Sequence, residues 1–407
     1  MIKTRTLSNG VRCICENLPY LRSVSAGVWV NTGSRHETPE FWGISHFIEH
    51  MLFKGTQSRS ARDIAEFADR MGGQINAFTA RDTTCYYVKA IDKHMEECLE
   101  ILSDMLLHSK FEKKDIELER GVIMEEISMY QDTPEELVHD ILEEVCFQDQ
   151  AIGRNILGSN ESIETFDEKL IRKYMAFRYT PDNIVVSAAG NIDSEKFFSL
   201  VEKYFGMMGK VMSTVLTGDP PRYTVGNITV KKDIEQTHIA LALEGVSRIS
   251  EDIYAMSIVN NVLGGGVSSR LFQKIREDMG LAYTIYSCLT PYSDCGCTTI
   301  YAAVNPENAD KVQRLIVNEI ENIHNGISNE ELQRAKEQVK AEYILASENT
   351  ENRMSSMGKQ WLLGEEIFTE SEFIERVDRV TPEEAKKVID KNFDLNKMSQ
   401  ALVTPNC

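Results

Sequence analysis

The sequence predicts an α+β protein of two similar domains, each a largely antiparallel sheet with helices packed on it. Three observations carry this expectation. Strand and long helical patterns are mixed through all 407 residues, too long a chain for one ordinary hydrophobic core. The stretch GKVMSTVLTGDPPRYTVGN at 209–227 interrupts helical periodicity with Gly, Pro, Ser and Thr and divides the chain nearly in half. The order of elements before that stretch recurs after it, as in a duplicated unit of roughly 200 residues. The expected division is residues 1–212, a linker at 213–227 and residues 228–407.

In the first half, RSVSAGVWVNTGS (22–34) predicts a strand ending in a turn, and SARDIAEFADRMGG (60–73) a helix stopped by glycine. TTCYYVKAI (83–91) predicts a second strand, and 113–147 a long helical stretch that Pro134 either breaks in two or kinks. A helix near 170–178 then leads into the strand NIVVSAAGNI (183–192). The second half opens on the strand THIALALEGV (237–246), followed by a helix, a strand around LAYTIYSCLT (281–290) and long helices. ELQRAKEQVKAEYI (331–344) is a loose counterpart of ELERGVIMEEI (117–127). TPEEAKKVIDKNF (381–393) carries Thr381 at its N-cap, Pro382 at the first helical position and Glu384 at the third, and the strand SQALVTP follows.

Composition excludes several function classes. With 44 basic against 63 acidic residues, a net charge of −19, phosphate backbones and anionic membranes are disfavoured as partners, while cationic peptides would be attracted. No apolar run approaches the roughly 18–20 residues that span a bilayer, and the start MIKTRTLSNGVRCICENLPY lacks the apolar core of a secretory signal. The chain is expected to stay in the cytoplasm. Nine cysteines without a regular framework are read as free thiols filling cores. The pairs Cys13/Cys15 and Cys295/Cys297 each fall on one face of a strand.

Chemistry concentrates in GISHFIEHMLFKGT (43–56). On a helix, His46 and His50 lie one turn apart on one face, as two imidazoles must to share an ion, and Glu49 borders that face. Two helix histidines packing against neighbours would give the same string, so a third ligand is needed. ELERGVIMEEISMY supplies Glu117, Glu119, Glu125 and Glu126, of which only some can face inward with Val122, Ile123 and Ile127. Glu119 and Glu126 are two helical turns apart and share a face, so one can bind metal while the other holds a ligand imidazole. The second half lacks the cluster and has NNVLGGGVSSRLF (260–272) in its place, without the end of a phosphate loop.

The HxxEH string, followed by a glutamate inside ERGVIMEEI, resembles the pitrilysin-type (M16, inverzincin) zinc metallopeptidases, and among them the processing peptidases and their short bacterial homologues. The resemblance covers both halves. It implies one Zn2+ per chain on His46, His50 and Glu126, with Glu49 as general base and Glu119 supporting a ligand. It implies that Asn76, Ala77 and Phe78 lie along an extended substrate. Arg276 and Tyr283 would contact the peptide from a metal-free second domain, Tyr283 donating to the developing oxyanion. Glu136 and Asp140, four apart on a helix, would hold a substrate arginine; an exposed acidic face explains them equally well. The fold implied is a clamshell around a chamber admitting short or unfolded, basic peptides. The expected activity is that of a zinc metalloendopeptidase in a bacterial cytoplasm, as a monomer or homodimer and without nucleic-acid or membrane partners. A non-catalytic scaffold subunit and a metal store or sensor are the alternatives; neither needs Glu49.

Overall fold

The computed structural model describes residues 2–209 and 220–406. The expected linker at 213–227 therefore lies partly outside the described residues, as does Cys407. The first half runs β1 (Ile2–Thr6), β2 (Arg12–Asn17), β3 (Ser23–Val30), α1 (Ile44–Leu52), α2 (Ala61–Arg70), β4 (Gln74–Thr79) and β5 (Thr84–Ile91). It continues with α3 (Met95–His108), α4 (Lys113–Gln131), α5 (Pro134–Cys146), α6 (Asn160–Glu164), α7 (Glu168–Arg178), β6 (Ile184–Gly190) and α8 (Ser194–Phe205). The second half runs β7 (Asn227–Lys232), β8 (Thr237–Glu244), α9 (Ile253–Gly264), β9 (Ala282–Pro291), β10 (Gly296–Val304) and α10 (Ala309–Ile323). It ends with α11 (Asn329–Ser347), α12 (Thr350–Leu363), α13 (Glu370–Arg379), α14 (Pro382–Asn392) and β11 (Ser399–Pro405). The helical stretch from 113 to 147 is two helices, with Pro134 opening the second, where its missing N–H costs nothing.

The sheets are ordered β1-β2-β6-β3-β5-β4 and β7-β11-β8-β10-β9. Without the added edge strand β1, both follow one pattern in chain order: first, fifth, second, fourth, third. In each, the first and last strands of the repeat pair in parallel, β2 with β6 and β7 with β11. The remaining pairings are antiparallel. Two largely antiparallel sheets with helices packed on them, of one shared topology, make this the duplicated α+β architecture.

Packing does not follow chain order. The chain forms two compact units: one holds the residues up to Ile127, those from Asn155 through α8, and Leu345–Ile367; the other holds Ser128–Arg154, β7 to Ile344, and the residues from Phe368 onward. In the first unit α12, from the second half, lies against β2, β3 and β6. Its Met354, Met357 and Leu362 pack with Ile14, Trp29, Cys85, Val185 and Ala189. The approach is close: a Cβ at Gly27 would sit 2.5 Å from Met354 Sδ, and one at Gly358 would sit 2.3 Å from Trp29 Nε1. The alternation of β2 sends Cys13 and Cys15 to the opposite face from Ile14, and all three are buried.

In the second unit α5, from the first half, covers one face of its sheet. Along β8, Ala240 and Ala242 face α5, while Ile239, Leu241 and Leu243 face a larger core shared with residues of α9, α10, α11, α13 and α14. Small residues toward the lone helix and large ones toward the helical layer let both faces close-pack. Each of the eight described cysteines is free, and none is fully exposed. Among the described residues, no helix is long and apolar enough to cross a membrane.

Candidate metal centre and active site

The helix α1 is nine residues of almost continuous burial, with His46 8% exposed and Glu49 and His50 half-buried at its open face. The i, i+4 spacing brings the two imidazoles to a ring-centroid distance of 4.6 Å. Along α4, Ile116, Glu119, Ile123 and Ile127 form the buried stripe. The sequence expectation for Val122 is corrected here: one residue, or 100°, away from that stripe, it is 49% exposed. Glu117 and Glu125 face solvent, Glu117 pairing with Arg120.

Glu126 projects toward the two histidines. Its Oε2 lies 3.7 Å from His46 Nε2 and 3.7 Å from His50 Nε2, too far for hydrogen bonds. Donors on adjacent corners of a tetrahedral zinc site with bonds of about 2.0–2.1 Å stand roughly 3.4 Å apart. Two imidazole nitrogens and one carboxylate oxygen, mutually within 4.8 Å, thus fit a small divalent cation with a coordination position left open. Among the described residues it is the one group of this kind.

The surroundings orient the set. Glu119, 4% exposed, has Oε2 at 3.0 Å from His50 Nδ1 and Oε1 at 2.6 Å from Lys54 Nζ. A carboxylate accepts from Nδ1–H and so leaves the Nε2 lone pair free for metal. Burial by itself pushes the Glu119 carboxyl up, but the bonds from His50 and Lys54 outweigh it and hold the pKa low. Burial likewise opposes charge on His50, and the bond to Glu119 with the charges of Glu126, Glu119 and Glu49 reverses this and raises its pKa. His46 makes no such hydrogen bond at Nδ1: burial, then the charge of His50, lowers its pKa to about 3.

Glu49 is the candidate base. Burial raises its pKa, partly offset by a 2.5 Å hydrogen bond from Thr79 Oγ1 and by the nearby His50. Thr79 ends β4, the edge strand carrying Asn76, Ala77 and Phe78. Phe78 is 38% exposed, its ring edge-on to Trp29 at 5.6 Å, and Asn76 Oδ1 accepts from the Ala77 amide at 2.9 Å. Thr79 and Lys54 escaped the sequence reading. Lys54 stands four residues past His50, the one spacing signal available for it; nothing in the sequence marks Thr79.

In the second unit, Arg276 lies in a π-helical turn, Phe272–Glu277, a local form common at functional sites. Its guanidinium stacks on Phe272 at 4.6 Å and on Tyr283 at 4.9 Å. Tyr283 is 79% exposed. Both line an open cavity of about 280 Å³ with Gln236, Gly280, Ala303 and Asn305. Glu136 and Asp140 lie one turn apart on α5, Glu136 exposed and Asp140 half-buried.

Comparison with known proteins agrees with this description. Residues 12–160 match the model of insulinase (peptidase family M16), and residues 165–339 match the peptidase M16 inactive domain. An uncharacterised zinc protease of Bacillus subtilis is 43% identical, over 100% of this chain and 99% of its own. One of Streptomyces coelicolor is 36% identical, over 95% of this chain and 86% of its own. In fold, the chain is similar to a protease from Helicobacter pylori with a TM-score of 0.94 at 22% identity, covering 100% of this chain and 99% of that one. A peptidase M16 inactive domain structure from Pseudomonas fluorescens gives 0.93 at 18% identity, covering 100% and 98%. With a duplicated α+β fold, an HxxEH helix and a glutamate converging on it, the chain belongs to the peptidase M16 family.

Proposed function

We propose that this protein is a zinc-dependent endopeptidase acting on short peptides or unfolded segments. The observation that carries the reading is the convergence of His46 Nε2, His50 Nε2 and Glu126 Oε2 beside a half-buried Glu49 whose pKa is raised; the zinc-protease names of its relatives support it. His46, His50 and Glu126 would hold the zinc, which when bound would supply Lewis acidity toward the scissile carbonyl and the attacking water.

The remaining work falls to side chains. Glu49, its pKa raised toward the range where it can both take and return a proton, accepts the proton of the attacking water and delivers it to the leaving amine. Thr79 fixes the carboxylate through its hydrogen bond. The free edge of β4 offers main-chain groups to an extended peptide, largely independent of its sequence. Arg276 and Tyr283 are the second unit's candidates for peptide contact, the guanidinium toward a carbonyl and the phenol as a hydrogen-bond donor. Glu136 and Asp140 would favour a guanidinium. Since one chain carries all of these groups, the active form is read as a monomer or homodimer.

Glu49→Gln tests the reading. Zinc content should remain at the wild-type level while peptide cleavage falls about 100- to 10,000-fold, the usual contribution of a general base. A glutamine variant as active as wild type overturns the mechanism, and a zinc-loaded wild type that cleaves no peptide favours a scaffold subunit.

A further inference from the structure

We infer that Glu37 is a positioning residue for the metal centre, fixing His46 through the backbone of the first turn of α1; the inference rests on the metallopeptidase reading above. The first turn of a helix leaves amides without partners, and a side chain at the N-cap ordinarily takes one of them. Here the N-cap is Gly43, with no side chain to offer. No other residue suits that place: its φ is +91°, and a Cβ would stand 2.6 Å from the Leu157 carbonyl oxygen.

The cap comes instead from Glu37. Its Oε2 accepts from the Gly43 amide at 2.7 Å and its Oε1 from the Ser45 amide at 2.8 Å. The carboxylate is 3% exposed and lies at the positive end of the helix dipole. Ser45 is gripped a second time, its hydroxyl 3.1 Å from Tyr174 OH, which is itself 2.7 Å from Thr32 Oγ1. Arg178 completes the group, donating to Thr32 Oγ1 at 3.2 Å.

The next residue is His46, and here the two ligand histidines differ. His50 is oriented through its side chain by Glu119. His46 Nδ1 is buried and has no hydrogen-bond partner, so no hydrogen bond at that nitrogen sets the angle of its ring. Its direction is inherited from the backbone at Ser45 and His46, and the two bonds from Glu37 hold that backbone. One histidine is positioned from outside the helix at its side chain, the other from beneath at its main chain.

The test uses the full chain as wild type, Glu37→Gln and Glu37→Ala, with zinc affinity measured by chelator competition, the absorption spectrum of the Co2+-substituted protein, and thermal melts of the metal-free forms. Glu37→Ala should bind zinc about tenfold or more weakly and show a changed Co2+ spectrum while still melting cooperatively. Glu37→Gln, which keeps one acceptor oxygen, should fall between it and wild type. A folded alanine variant with wild-type affinity and spectrum overturns the inference; if that variant does not fold, a glutamine variant matching wild type in both does so. Wild type that binds zinc but cleaves nothing sinks only the peptidase reading, and the affinity series still decides Glu37. Wild type that binds no zinc sinks both.

Discussion

Replacing Glu119 by glutamine changes neither volume nor shape, yet it should weaken metal binding at a site that Glu119 does not touch. The carboxylate accepts from His50 Nδ1 at 3.0 Å and from Lys54 Nζ at 2.6 Å. An amide has one oxygen and one NH2 group. Turned one way, it presents its NH2 to His50 Nδ1 and favours the tautomer protonated at Nε2, which cannot bind metal. Turned the other way, it sets two donors, its own and the ammonium of Lys54, against each other. A hydrogen bond to a charged group is worth about 1.5–3 kcal/mol and a neutral one about 0.5–1.5, a difference of about 1–2 kcal/mol. That corresponds to roughly 5- to 30-fold in dissociation constant, overlapping the range of about 10- to 100-fold for residues that orient metal-binding histidines. Chelator competition at neutral pH measures it, with Glu125→Gln, an exposed neighbour on the same helix, as the control. Equal affinities for wild type and Glu119→Gln would refute the argument.

The raised pKa of His50 sets a pH dependence: proton and metal compete for the ring, so affinity should begin to weaken on acidification at a pH above that expected for an ordinary imidazole, about 6.5, with protons released on binding. Calorimetry in two buffers of different ionisation enthalpy counts those protons, and a flat profile would contradict the shift. Stability in acid should depend on Glu331, which accepts from Arg270 at 2.7 and 2.9 Å and whose pKa that bond lowers to about 2. A depressed folded pKa means stabilisation present above pH 4.5 and lost as pH falls toward 2; the pair is 20% exposed, and screening discounts its worth to about 1–2 kcal/mol. Urea titrations at several acid pH values should show a shallower loss in Glu331→Gln than in wild type. Two glycine substitutions should have opposite signs. Gly121→Ala in α4, with nothing within 4 Å of the new Cβ, should stabilise by about 0.5–1 kcal/mol. Gly358→Ala, driven against Trp29 and Ser187, should destabilise by about 1–3 kcal/mol; a gain there in denaturant midpoint would show that α12 can shift.

Sequence patterns exposed what is local or repeated. The continuous apolar runs of β3, β6 and β8, the break at Pro134 and the capping box of α14, with Thr381 and Glu384 exchanging bonds, are decided within a few residues. His46, Glu49 and His50 were readable because one helical turn is enough to join them. Glu126 was reachable because α4 is amphipathic and its buried stripe limits the choice of acid. Val122 was misplaced because its stripe was drawn one residue too wide. Thr79, Lys54 and Glu37 act through contacts that depend on where a strand end, a turn and a loop come to rest. The exchange of α5 and α12 between units had no local signature, since an amphipathic helix shows that it needs a partner and not which sheet supplies it.

That exchange bears on how the molecule is made. The sheet of the first unit lacks the cover that Met354, Met357 and Leu362 give one of its faces until those residues have been made, nearly nine-tenths of the way through synthesis. A nascent chain that has finished its candidate metal ligands at Glu126 still has more than half its length to come before Trp29 and Ile14 are packed against α12. Closure of that face is thereby tied to near-completion of the polypeptide.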